Sequence, residues 1–299
     1  MSSLKIVPLF FLLSSAVIFC QVQEINDRPI IGIITQEVSD EVFFQYGKTY
    51  IADSYVKYLE SAGCRVVPIR LNLSEDEYLY LFHSINGVLL PGGAVDLLNS
   101  SFSRTAALFY KLSIEAASSG IYFPIWGTCM GFQVLTALTS EKNLLSNTSA
   151  ENISLPLNLM DDISSSKMFR HAPQELLHVV STENITANFH RFNSRGQLSG
   201  ENLPCVQSVS SGRPTCRIHG RWTTADREVN RFQWSKGYVF PHTENAIWLS
   251  QYTANFFVNE ARKNSNRFPN AKEEESALIY NWSPTYTGNI SGYEMVYFF

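Results

Sequence analysis

Residues 121–133 fix a local geometry more tightly than any other part of the chain. An apolar run, Ile121 to Ile125, leads into Trp126-Gly127-Thr128-Cys129-Met130-Gly131-Phe132-Gln133, and a helix-forming stretch from Phe132 to Thr139 follows. A cysteine between two close glycines, at a strand-to-helix turn, is the cysteine form of a nucleophile elbow. Gly127 and Gly131 let the backbone turn sharply and let the helix pack close to the strand. The thiol then stands at a helix N-terminus, where the dipole and free N–H groups favour a thiolate. A free cysteine is more often a small buried hydrophobe; the flanking strand and helix are what point to chemistry, most simply acyl transfer through a thioester.

The rest of the pattern supplies a frame for that turn. Ile30 to Thr35 is a continuous apolar run, as in a parallel strand buried on both faces. Ile51, Tyr55, Tyr58, Leu59 and Ala62 lie at helical spacing and Gly63 ends the helix. Strands are predicted over Arg65–Ile69 and Gly87–Leu90, and helices over Glu75–Ser84 and Thr105–Ser119. Further short strands are predicted at Leu155–Leu159 and Leu176–Ser181, and an amphipathic helix over Ile247–Lys263. Strands alternating with helices predict an α/β fold: a parallel sheet with helices on both faces and its site at the carboxyl ends of the strands. Both Cys129 and the Pro91-Gly92-Gly93 turn fall at such ends. One stretch, Asn193 to Arg227, is rich in Ser, Gly, Arg and Pro and lacks apolar periodicity; a loop of that length is uncommon in a compact domain.

Met1 to Lys5 and the apolar stretch Ile6–Cys20 read as a secretory signal over residues 1–20. The segment is too short for a membrane span, and no later segment is apolar enough for one. Residues 21–299 then suit one large domain. Seven N-x-S/T sequons, at Asn72, Asn99, Asn147, Asn152, Asn184, Asn281 and Asn289, agree with a secretory route, although Pro284 weakens the Asn281 sequon. A net charge of −4 without a basic block argues against nucleic acid. The cysteines do not form a disulfide scaffold; Cys205 and Cys216 could pair, and a catalytic Cys129 must stay free.

Acyl transfer needs oxyanion donors and a base. The N–H of Met130, next to the nucleophile, suits the first task, and the Gly92-Gly93 turn can offer a second N–H because no side chain blocks approach. Six histidines, His83, His171, His178, His190, His219 and His242, are candidate bases, none of them marked by its neighbours. No histidine cluster suggests a metal site.

These residues resemble the γ-glutamyl hydrolases, relatives of the class I glutamine amidotransferase domain. The resemblance spans nearly all of the chain after the signal. It covers Pro29 to Ile33, Leu90-Pro91-Gly92-Gly93 with Asp96, the Trp126–Phe132 elbow and Asn188-Phe189-His190. It continues through Asn255 to Asn264, Ala277 to Tyr280 and Tyr286 to Ser291. It implies a flavodoxin-like sandwich and a cysteine peptidase that cleaves γ-linked glutamate chains from folate and antifolate polyglutamates, with Cys129 as nucleophile. Gly93 and Met130 would be the oxyanion donors, His190 would lie near substrate, and no metal or organic cofactor would be needed. Location in the lysosome or outside the cell is implied; a homodimer is left open.

Two positions depart from the family. Gln133 stands where these hydrolases usually carry glutamate and amidotransferases carry glutamine. The family's Gln-Trp-His-Pro-Glu strand end is replaced by Asp226-Arg227-Glu228, so Glu228 matches the acid while Asp226 replaces the catalytic histidine. This falls at the edge of the same atypical Asn193–Arg227 block, which reads as a shifted frame in the transcript or gene model. If the block is genuine, the alternatives are His219 as a substitute base, or a secreted homologue that binds γ-glutamyl peptides with impaired catalysis. A glutaminase domain serving a synthetase fits Gln133 but not the signal and sequons.

Overall fold

The computed structural model describes residues 25–143, 145–157, 159, 163, 166–194, 232–234 and 237–299. Its first strand, β1 (Ile30–Ile34), is buried along its whole length. Alternate side chains go to opposite faces: Ile30 and Ile34 pack with Phe102 and Phe109, whereas Ile31 and Ile33 pack with Tyr58 and Phe257. Coverage on both faces is why the run is uniformly apolar instead of alternating. Short strands β2 (Gln36–Glu37) and β3 (Thr49–Ala52) lead into helix α1 (Asp53–Glu60), and Gly63, at φ +82°, turns the chain after it. Strand β4 (Arg65–Ile69) follows, then α2 (Glu75–Ser84), which opens with a capping box between Ser74 and Glu77.

Strand β5 (Gly87–Leu90), helix α3 (Ser101–Ser118), strand β6 (Ile125–Gly127) and helix α4 (Met130–Ser140) complete the central unit. Its four strands are parallel in the order β4-β1-β5-β6. Counted along the parallel strands this is 2-1-3-4, the flavodoxin-like order, which reverses direction beside β1. Helices α2, α3 and α4 cover one face with Tyr78, Phe82, Phe102, Phe109 and Val134, and α1 covers the other with Tyr58 and Leu59.

Beyond α4 come β7 (Leu145–Leu155), α5 (Gln174–Thr182) and β8 (Thr186–Ser194); β7 and β8 form a two-stranded antiparallel ladder in which His190 lies opposite Ala150. Helix α6 (Glu244–Ala261) adds Ala254, Phe257 and Val258 to the α1 face. Helix α7 (Ala271–Ala277) and strands β9 (Thr285–Tyr286) and β10 (Met295–Phe298) follow, and β2-β3-β10-β9 make an antiparallel sheet with Val296 opposite Ala52.

Three expectations are corrected. Leu176–Ser181 is not a strand but part of α5: Leu176, Val179 and Val180 are buried at helical spacing, and two adjacent valines mimicked a strand. The Leu155–Leu159 strand reduces to Leu155, the end of β7, because Pro156 has no N–H for a ladder. The fourth parallel strand starts at Ile125, after Pro124, whose carbonyl accepts from Val88 N–H (3.1 Å), instead of at Ile121. Of the atypical Asn193–Arg227 block, Asn193 and Ser194 close β8. The remainder, with Cys205, Cys216 and His219, lies outside the described residues, as do residues 1–20. No described helix is long and apolar enough to cross a membrane.

Candidate active site

The elbow forms as the glycines demand. Cys129 adopts φ 53°, ψ −120°, a conformation that costs a non-glycine residue on the order of 1–3 kcal/mol and persists only where the surroundings enforce it. They do so on both sides. Thr128 N–H donates to Leu90 O (3.0 Å), which carries the β5–β6 ladder one residue further. Past the turn, Phe132 and Gln133 N–H both donate to Cys129 O (3.1 Å each), which starts α4. A β-carbon on Gly131 would stand 2.6 Å from the Leu90 carbonyl carbon, and one on Gly127 would stand 2.7 Å from Phe132 N. Those obstacles are backbone, so neither position tolerates a side chain. Half-buried Cys129 is thereby fixed as the N-cap of α4, with the partial positive charge of the helix behind its thiol.

The Pro91-Gly92-Gly93 turn at the end of β5 lies directly beside it. A β-carbon on Gly92 would be 3.0 Å from Cys129 Cβ and 3.4 Å from Sγ. Gly92 N–H is already committed, donating to Tyr55 Oη (2.9 Å), so α1 holds this turn in place. Gly93 N–H has no acceptor among the described residues. The far side of Gly93 is closed by Gln36: an added β-carbon would meet its Cδ at 2.8 Å. Met130 opens α4, so its N–H has no carbonyl of an earlier turn to reach. Its side chain is buried in the core, and Sδ accepts from Val95 N–H (3.3 Å), tying the glycine turn to the helix. Gln133, one turn along α4, is also buried.

The structure thus brings together Cys129, Met130, Gln133 and the Gly92-Gly93 turn. Of His190 it fixes the backbone in β8, and Asp226 and Glu228 lie outside the described residues. The His242 ring stacks on Trp234 (3.7 Å between centroids), and its Nε2 lies 3.0 Å from Gln233 O. Among the described residues no group of His, Cys, Asp and Glu could hold a metal ion. Sequence reasoning missed Tyr55 and Gln36 as neighbours of the site. Tyr55 read as a core position of its helix, and nothing in the order of residues announces that its hydroxyl crosses to a glycine 37 positions away.

A strained cysteine at the carboxyl rim of a flavodoxin-like sheet, at a helix N-terminus and beside a glycine turn, is the arrangement that suits a cysteine acyl-transfer enzyme. The comparisons agree in class and then narrow it. The Peptidase C26 family profile matches residues 29–145, the stretch that builds the parallel sheet and the elbow. Gamma-glutamyl hydrolase of Homo sapiens is 42% identical over 294 residues, covering 91% of this chain and 90% of its own length. The Rattus norvegicus enzyme is 43% identical over 290 residues (92% and 90%), and gamma-glutamyl hydrolase B of Dictyostelium discoideum 33% over 297 (93% and 85%). The chain belongs to the gamma-glutamyl hydrolase family.

Proposed function

We propose that the chain hydrolyses γ-glutamyl bonds of folate and antifolate poly-γ-glutamates through a Cys129 thioester. The observation that carries this reading is the Cys129 elbow with the Gly92-Gly93 turn packed against it. In the first half-reaction the Cys129 thiolate attacks the γ-carbonyl carbon and an S–C bond forms. The oxygen takes up the negative charge, which the N–H groups of Met130 and Gly93 receive in this reading; one such donor is worth about 10²–10³ in rate. Collapse breaks the C–N bond, the departing α-amino group takes a proton, and a γ-glutamyl thioester remains. Water then attacks, the S–C bond breaks, and a free γ-carboxylate leaves. Proton transfer to and from these groups contributes about 10²–10⁴-fold more. Gln133 on α4 and His190 on β8 are assigned to oxyanion or substrate binding, and Glu228 is the remnant of the catalytic acid, its histidine partner being replaced by Asp226. No step requires a metal or organic cofactor.

The apolar stretch Ile6–Cys20 and the seven sequons support entry into the secretory pathway, with the lysosome or the extracellular space as destination. The test is incubation of a pteroyl-polyglutamate with the full chain at acidic and neutral pH, beside Cys129→Ser. Cleavage that depends on Cys129 is expected. Binding without cleavage by the unaltered chain would reject hydrolysis in favour of a γ-glutamyl-binding homologue.

A further inference from the structure

Five of the sequon asparagines, Asn72, Asn152, Asn184, Asn281 and Asn289, differ in what their side-chain amides do, and the difference separates glycan acceptors from structural clips. N-glycosylation replaces one hydrogen of Nδ2, the one on the same edge of the amide as Oδ1. Asn281 has no hydrogen to give up. Nδ2 donates to Glu275 O (2.7 Å) and to Leu278 O (2.9 Å), satisfying two carbonyls at the C-terminal end of α7. Asn152 uses the edge in question. Nδ2 donates to Gly237 O (2.9 Å) while Oδ1 accepts from Val239 N–H (2.7 Å). Those partners are two residues apart on one segment, so the amide mimics a paired strand residue. Ser154, the hydroxyl residue of the same sequon, donates to Val239 O (3.3 Å), a second link to the same segment. Asn152 also sits at φ 51°, at a register shift of the β7–β8 ladder, a conformation asparagine tolerates better than most residues.

Asn72, Asn184 and Asn289 contrast with these. All three are exposed, on turns between elements, and their side-chain amides make no hydrogen bond among the described residues. Asn72 lies in the turn between β4 and α2, Asn184 between α5 and β8, and Asn289 between β9 and β10.

We infer that Asn72, Asn184 and Asn289 carry N-linked glycans, and that Asn152 and Asn281 are unglycosylated clips that fasten the 237–239 segment and the end of α7. This rests on the secretory reading above, and the test keeps the two separable. The full chain is secreted from a eukaryotic host, its glycans are released enzymatically in ¹⁸O-water, and each sequon is scored by peptide mass. Glycans on Asn72, Asn184 and Asn289, with Asn152 and Asn281 bare, are expected. A glycan on Asn152 or Asn281 overturns the assignment and leaves the secretory route standing. No glycan anywhere overturns both the route and the three acceptors. The clip half is tested without any glycan, on protein made in a bacterial cytoplasm. Asn281→Ala should lower Tm by about 2–6 °C, from two lost hydrogen bonds in a chain of this size, and Asn184→Ala, at an exposed acceptor position with ordinary backbone, should not. Equal Tm values for the two variants would remove the clip.

Discussion

The two rims of the parallel sheet are built to opposite specifications. At the rim where strands begin, polar groups are closely paired. Asn86, just before β5, accepts from Ile30 N–H (2.8 Å) and donates to Asn264 O (3.1 Å), Asn264 Oδ1 (3.0 Å) and Asn266 O (2.8 Å). Asn264 in turn donates to Tyr122 O (2.7 Å), and Glu260 gathers Tyr122 Oη, Lys167 and Lys263. At the rim where strands end, the chain holds a cysteine at φ 53°, two glycines without side chains, and two buried polar atoms, Thr35 Oγ1 and Gln36 Nε2, that have no partner among the described residues. Each rim also carries a cysteine, Cys64 at the first and Cys129 at the second. Glu60 Oε1, near Cys64 at the first rim, is likewise buried without a partner among the described residues, so what sets the second rim apart is the backbone strain at Cys129, which the packed frame enforces.

The comparison breaks most visibly at Cys129. Cys129→Ser should reduce kcat by at least about 10⁴-fold, as loss of a covalent nucleophile does. Tm should stay nearly fixed, since the side chains are close in size; a variant that retained turnover would detach the elbow from the mechanism. Gly131→Ala tests whether the strain is enforced by packing. Its β-carbon points at the Leu90 carbonyl group, which cannot yield, so a loss of about 3 kcal/mol or more in denaturant unfolding is expected. Gly93→Ala meets only the end of a flexible side chain, Gln36. Activity should fall about 10-fold, and adding Gln36→Ala should restore part of it, a coupling on the order of 1 kcal/mol in a double-mutant cycle. Strict additivity would show that Gln36 does not set the position of Gly93.

The two rims also differ in how far the sequence discloses them. The elbow was readable because its requirement is local: a turn this tight needs Gly127 and Gly131, whatever surrounds it. Arg65–Ile69, Glu75–Ser84 and Gly87–Leu90 fall where apolar period and caps place them. The strand predicted at Leu176–Ser181 failed because its apolar residues are shared by helix and strand patterns, and only packing against Leu249 of α6 decides between them. The stitched rim was invisible for a different reason. Asn86 and Asn264 are 178 positions apart, and an asparagine carries no mark of the partner it will meet. The tie from Tyr55 to Gly92 is hidden in the same way.

Glu260 sharpens the comparison from the stable side. Burial pushes its carboxyl upward, but hydrogen bonds from Lys167, Lys263 and Tyr122 outweigh that and hold it below the usual glutamate range. A carboxylate with a lowered folded value contributes stability above its unfolded value of about 4.3, and loses it as pH falls through the folded value. Stability should therefore survive mildly acid conditions and decline only below about pH 4. Glu260→Gln should cost about 1–3 kcal/mol at neutral pH, moderated because Lys167 and Lys263 are partly exposed, and should flatten that acid limb in thermal melts. An unchanged limb would place the acid sensitivity elsewhere.

Cys64 should give the smallest effect, and it is the direct control for Cys129. It precedes β4, is 5% exposed, and its thiol donates to Leu59 O (3.3 Å). Burial pushes the thiol well above the usual range, and the nearby Glu60 charge pushes it further, so it stays protonated and inert. A maleimide added to the native protein should label Cys129 and spare Cys64 until denaturant opens the fold. Cys64→Ala should cost about 1 kcal/mol through a small cavity and a lost weak hydrogen bond, with kcat/KM unchanged. Rapid native labelling of Cys64, or an activity loss in Cys64→Ala matching that of Cys129→Ser, would mean that position on the sheet does not separate the reactive thiol from the structural one.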